Sequence, residues 1–163
     1  MIEIRPARGV DLAGILEIYN HYVRESHCTF DIEPFSLDQR RPWWAQFDSA
    51  RWQCWAAADS ENVRGYACST PLKPKRAYET SVEVSVYLHP DHTGCGLGGK
   101  LYQQLFAALD EQDVHRAYAL IAVPNEPSLA LHRSFGFSEA SRLSEVGRKF
   151  DRYWDVVWME RAC

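Results

Sequence analysis

The chain has 163 residues, a formal net charge of −4 and 46% hydrophobic residues, with six Trp and eight Tyr. That length fits one domain over residues 1–163 with a single core, and that apolar content excludes a disordered chain. The longest basic cluster is Lys73-Pro74-Lys75-Arg76, too little for the electrostatic footprint of a nucleic-acid partner, and no run nears the roughly 18 apolar residues of a membrane span.

Ile2 and Ile4 alternate with Glu3 and Arg5 before Pro6, which predicts a short first strand. From Asp11 as N-cap, Leu12, Ile15, Leu16, Tyr19, Tyr22 and Val23 recur every three or four residues, so a helix with one core face follows. Residues 26–35 have no period, and their Thr29, Phe30 and Glu33 either face a ligand or anchor the turn. Ser36-Leu37-Asp38-Gln39 is a capping box that opens a second helix carrying Trp43, Trp44 and Phe47. Residues 52–58 and 63–70 read as an antiparallel hairpin about the polar turn 59–62. Residues 71–80 then gather Lys73, Lys75, Arg76 and Tyr78, either as a solvated linker or as the rim of a site.

The chain is organised around residues 82–101, VEVSVYLHPDHTGCGLGGKL. Val82, Val84, Val86 and Leu88 alternate with Glu83, Ser85 and Tyr87, so a strand turns one apolar face inward and carries a carboxylate, a hydroxyl and a phenol on the other. After His89-Pro90-Asp91, the glycines 94, 96, 98 and 99 leave backbone N–H groups unobstructed at a helix start, where the dipole and the orphan donors favour a phosphate. A P-loop reading places Leu101 where a Ser or Thr should hold magnesium, so the nucleotide-hydrolysing class loses its metal. A dinucleotide reading needs an acid at the end of the next strand, and residues 117–123 end instead in Pro124 and Asn125. A pyrophosphate cradle and a purely structural glycine turn remain, and four glycines in six residues favour the cradle.

A third helix over 98–113 with Leu101, Leu105 and Leu109 on one side, followed by the buried strand 117–123, implies a parallel strand pair. Pro127 then opens a short helix that Gly136 stops, and the alternation over 138–160 about a polar turn predicts two final strands. Five scattered cysteines (28, 54, 68, 95 and 163) without a C-x-x-C pair read as reduced thiols of a cytoplasmic protein, as does an N-terminus that opens on a strand. The six histidines lack ligand spacing, so no metal is expected.

Five segments together resemble the GNAT superfamily of acyl-CoA N-acyltransferases, on the branch of the phosphinothricin and methionine sulfoximine/sulfone acetyltransferases. They are IRPARGVDLAGILEIYNHYV, TFDIEP, SVEVSVYLHPDHTGCGLG, VPNEPSLALHRSFGF and VGRKFDRYWDVVWM. The resemblance implies an α/β fold of the α+β mixed-sheet kind: a strongly bent sheet of about seven strands flanked by about four helices. In it the fourth and fifth strands splay and acetyl-CoA enters the gap. It also implies a homodimer.

By position, the backbone of Val86, Tyr87 and Leu88 is expected to meet the pantetheine arm. Thr93, Gly94, Cys95, Gly96, Leu97 and Gly98 are expected to hold the pyrophosphate, and Asn125 to meet the cofactor from the fifth strand. Thr93 stands where the superfamily usually has Gln or Arg, and Cys95 where Arg is common. Glu83 matches the strand glutamate that takes the amine proton through a water, against a structural pairing with Lys73 or Arg76. His132 matches an acid or proton relay, against a packed helix residue. Lys75 falls where the branch often has a carboxylate-clamping Arg, with Arg76 and Tyr78 beside it. Phe30, Glu33, Lys149 and Asp155 sit where the pocket or the dimer contact is shaped. The reading is N-acetylation of the α-amine of a small amino-acid analogue. Its alternatives are another small amine and a catalytically silent acyl-CoA-binding module.

Overall fold

The computed structural model describes residues 1–48 and 50–163. Strand β1 (Glu3–Pro6) leads to helix α1 (Leu12–Glu25) and, across an irregular loop, to α2 (Leu37–Trp44). Strands β2 (Cys54–Ala58) and β3 (Val63–Pro71) form the expected antiparallel hairpin, and β4 (Ser81–Leu88) runs into α3 (Leu97–Leu109). Then come β5 (Arg116–Val123), α4 (Glu126–Ser134), β6 (Ser138–Lys149) and β7 (Arg152–Ala162). The strands make one mixed sheet in the order β1-β2-β3-β4-β5-β7-β6.

Local chemistry explains these boundaries. Ser36 accepts from the Gln39 N–H at 3.3 Å while the Gln39 side chain accepts from the Ser36 N–H at 2.8 Å, a reciprocal cap for α2. That helix ends at Trp44, so Phe47 lies beyond it. Helix α3 stops at Leu109, short of the expected 113, because Asp110-Glu111-Gln112-Asp113 offers no apolar residue to extend its core stripe.

The two faces of the sheet are covered separately. Leu101, Tyr102, Leu105 and Leu109 of α3 are buried against Val82, Val84, Ala117 and Ala119. Ile15 and Ile18 of α1 pack with Ala56, Tyr66 and Cys68 on the other face. Each such buried Leu or Ile contributes about 1.5–3 kcal/mol of transfer free energy.

The parallel ladder between β4 and β5 has only three pairs, Ser81 with Arg116, Val82 with Ala117 and Glu83 with Tyr118. Beyond them β4 continues to Leu88 beside β3, and β5 to Val123 beside β7, so the two strands diverge. Among the described residues no helix is long and apolar enough to cross a membrane.

Candidate active site

The divergence of β4 and β5 is occupied by a cavity of about 800 Å³. The His89 N–H donates to the Arg64 carbonyl at 2.9 Å, which fixes the alternation of the antiparallel β3–β4 ladder. By that alternation Tyr87 spends its backbone groups on β3, whereas Val86 and Leu88 turn theirs to the gap. The Leu88 carbonyl there accepts from the Tyr22 hydroxyl at 2.6 Å.

One end of the cavity is walled by Thr93, Gly94, Gly96, Gly98 and Gly99 at the start of α3. Gly94 and Gly96 have φ of 71° and 78°, a region that a β-carbon disfavours, and this lets the loop turn its N–H groups toward the helix mouth. The Lys100 N–H makes the helix bond back to Gly96 at 3.2 Å. The N–H groups of Leu97, Gly98 and Gly99 precede that bond and are the orphan donors of the helix start. The side chains of Cys95 and Leu97 do not line the cavity: the Cys95 thiol donates to the His92 carbonyl at 2.9 Å, and Leu97 is in the core. The Thr93 hydroxyl is likewise occupied, by the Pro90 carbonyl at 3.1 Å. Asn125 lines the far wall, its side-chain oxygen capping α4 through the Ser128 N–H at 3.3 Å.

A second cavity of about 370 Å³ lies on the α1–α2 side. It shares Cys28, Ser85, Tyr87 and Leu120 with the first, so the two meet at the polar face of β4. Glu83 lines the second cavity, and burial raises its carboxyl pKa against the opposing pull of Lys73. No cation stands within 4.0 Å of Glu83 among the described residues, so the structural ion pair with Lys73 or Arg76 is not formed. Phe30 also lines this cavity, its ring pressed onto Gly147 of β6.

The other expected contacts lie elsewhere. Lys75, Arg76 and Tyr78 occupy an exposed turn that lines neither cavity, and Arg76 faces Glu79 at 3.6 Å. Glu33 is exposed. Lys149 is buried, donating to the Thr29 carbonyl at 2.8 Å, and Asp155 braces the β6–β7 hairpin through Arg142 and the Glu145 N–H.

His132 is buried at the edge of the first cavity with both ring nitrogens engaged. Its Nδ1 lies 2.7 Å from the Ser128 carbonyl, which can only accept, so Nδ1 carries the proton. Its Nε2, at 2.9 Å from the Tyr102 hydroxyl, is then the acceptor. Burial lowers the imidazole pKa, so the neutral ring is favoured.

These features are a splayed sheet, a glycine-rich helix start in one cavity and a half-buried carboxylate in the adjoining one. The profile described as the acetyltransferase (GNAT) family matches residues 15–137. The chain belongs to the GNAT acetyltransferase family. Among GNAT relatives, a phosphinothricin N-acetyltransferase of Streptomyces coelicolor is 48% identical over 98% of this chain and 95% of its own. A methionine sulfoximine/methionine sulfone acetyltransferase of Pseudomonas aeruginosa is 34% identical over 96% and 92%. A GNAT phosphinothricin acetyltransferase from Sinorhizobium meliloti, solved in complex with acetyl-CoA, superposes with a TM-score of 0.93 at 28% identity, covering 99% of this chain and 88% of that one.

In this GNAT chain the second cavity includes residues that the sequence did not mark for function: Tyr19 read as part of the core stripe of the first helix, Arg40 and Tyr66 were not singled out, and all three line it. The only signal was proximity in sequence to Trp43, one turn from Arg40 on the same face. Among the described residues no group of three or more His, Cys, Asp or Glu is placed to hold a metal.

Proposed function

We propose that this GNAT enzyme transfers the acetyl group of acetyl-CoA to the α-amine of a small amino-acid analogue such as phosphinothricin, methionine sulfoximine or methionine sulfone, by direct attack in a ternary complex. The protein is proposed to work as a homodimer in the cytoplasm. The observation that carries the reading is the meeting of two cavities at Ser85 and Tyr87, one ending in the glycine-rich helix start and the other holding Glu83. The names of its relatives support the substrate class.

An alkylammonium must lose a proton before it can attack a thioester, and Glu83 accepts it, through a water. The amine nitrogen then bonds to the carbonyl carbon while the Leu88 N–H, turned to the gap, donates to the developing oxyanion. The carbon–sulfur bond breaks, the nitrogen gives up its second proton to solvent as the amide forms, and the thiolate leaves and takes a proton from solvent. His132, with its Nδ1–H and Nε2 both spent inside the protein, is assigned to holding α4 on α3 instead of donating that proton.

The test is thiol release from acetyl-CoA over a panel of the three analogues, methionine, polyamines and a lysine peptide, on protein whose mass in solution is read by light scattering. Turnover confined to the analogues is expected. Turnover only of another amine discards the substrate, silence throughout leaves a binding module, and a monomer mass removes the dimer.

The cavity wall gives a further expected result. A β-carbon on Gly147 comes within 2.2 Å of the Phe30 ring, so Gly147→Ala must displace that ring, which lines the second cavity. The variant is expected to lose about 1–3 kcal/mol of stability and to raise KM for the amine while leaving KM for acetyl-CoA unchanged. Thermal melting and two-substrate kinetics read both effects.

A further inference from the structure

Among the described residues Arg40 is the one arginine classed as buried, at 9% exposure. It is held without a counter-charge, since its guanidinium enters no ion pair and its Nε has no hydrogen-bond partner among those residues. Its carbon lies 4.0 Å from the Trp43 ring centroid, 4.4 Å from that of Tyr19 and 5.3 Å from that of Phe35. Aromatic faces stabilise the charge but take up none of its donors, because a stacked guanidinium keeps its N–H groups in the plane at its rim. A buried cation with an unsatisfied donor is disfavoured unless something completes it. Arg40 lines the second cavity, and so does Glu83.

We propose that Arg40 binds the carboxylate of the amine substrate, its N–H rim forming the fork that a carboxylate matches, while Glu83 faces the amine of the same molecule. This rests on the amino-acid-analogue reading above and adds the residue that selects for it. The two side chains give one small cavity a positive and a negative pole, the complement of a zwitterionic amino acid. The cations expected to act as the clamp are poorly placed for it: Lys75 and Arg76 are exposed and line neither cavity. Lys73 lines an adjoining depression, which shares Trp43 and Thr70 with the second cavity, and its ammonium lies over the Trp158 ring at 5.8 Å.

The test compares methionine sulfone with 3-(methylsulfonyl)propylamine, the same molecule without its carboxylate, at saturating acetyl-CoA. Arg40→Met is expected to lower kcat/KM for the sulfone by about 100-fold, chiefly through KM, and to change it for the carboxylate-free amine by less than about threefold. Arg40→Lys keeps the charge on the aromatic stack but loses the fork, and is expected to cost the sulfone about tenfold, again with the plain amine little changed. It serves as the reader if Arg40→Met does not fold. A variant that folds and loses both substrates equally, or neither, overturns the assignment of Arg40 and leaves the substrate class standing. A wild-type enzyme that acetylates the plain amine and no carboxylated one overturns the substrate class and Arg40 with it.

Discussion

Replacing Glu83 by Gln is expected to lower kcat/KM for the amine by about 10²–10⁴-fold, the range for loss of a positioned general base. The change is nearly isosteric and removes only the proton acceptor. In the wild type, activity should fall on the acid side as the carboxylate is protonated. Burial, only partly offset by Lys73, raises that pKa, so the limb should lie above the ordinary carboxylate range. The Gln variant should show no such limb.

Stability should move the other way. A carboxyl whose folded pKa is raised binds its proton more tightly in the native state. The protein therefore loses stability as pH climbs from the ordinary value of 4.5 through the raised one. At neutral pH Glu83→Gln should melt no lower than the wild type, separating a chemical defect from a folding defect. Full turnover by this variant at every pH removes Glu83 from the mechanism.

The second large effect is expected at His132, and it should be structural. His132→Ala opens a hole beside Tyr102 and Phe137 and strips partners from the Tyr102 hydroxyl and the Ser128 carbonyl. A loss of about 3 kcal/mol follows from the cavity and the unpaired groups. At about 2–4 °C per kcal/mol for a domain of this size, the melting temperature should drop by roughly 6–12 °C. Tyr102→Phe should show a smaller form of the same defect by orphaning Nε2. Above neutral pH the kcat profile of both variants should match that of the wild type. An alkaline limb found in the wild type and lost in His132→Ala at an unchanged melting temperature reinstates His132 as the acid.

Much of the scaffold could be read from sequence because it rests on local rules: the Ser36 cap, the alternation in β4 and the glycine run before α3 act over a few residues. The glycine loop was legible as an open helix start for the same reason, and it walls one end of the first cavity. The second cavity was not legible, because it is assembled by topology. Arg40 sits in a helix whose other residues are largely polar or exposed, and only the closure of α2 over α1 makes it the buried one. Lys75 and Arg76 mislead in the opposite sense, since a cluster of cations reads alike whether its turn faces a cavity or the solvent. His132 was legible as a residue of note, but its partners Tyr102 and Ser128 lie thirty and four residues away. Their hydrogen bonds decide what the ring can do.

The early end of the β4–β5 ladder also bears on how the protein responds to its surroundings. Past Glu83 and Tyr118 the backbone groups of β4 and β5 no longer pair with each other, and under the proposed function acyl-CoA lies along them and supplies hydrogen bonds the chain does not make for itself. Such a ligand binds the native state and not the unfolded chain, so by mass action it adds about 2.7 kcal/mol of folding free energy at 100 times its dissociation constant. Resistance to unfolding and to proteolysis would then track the acyl-CoA supply, and the enzyme would be most durable when it is best able to work.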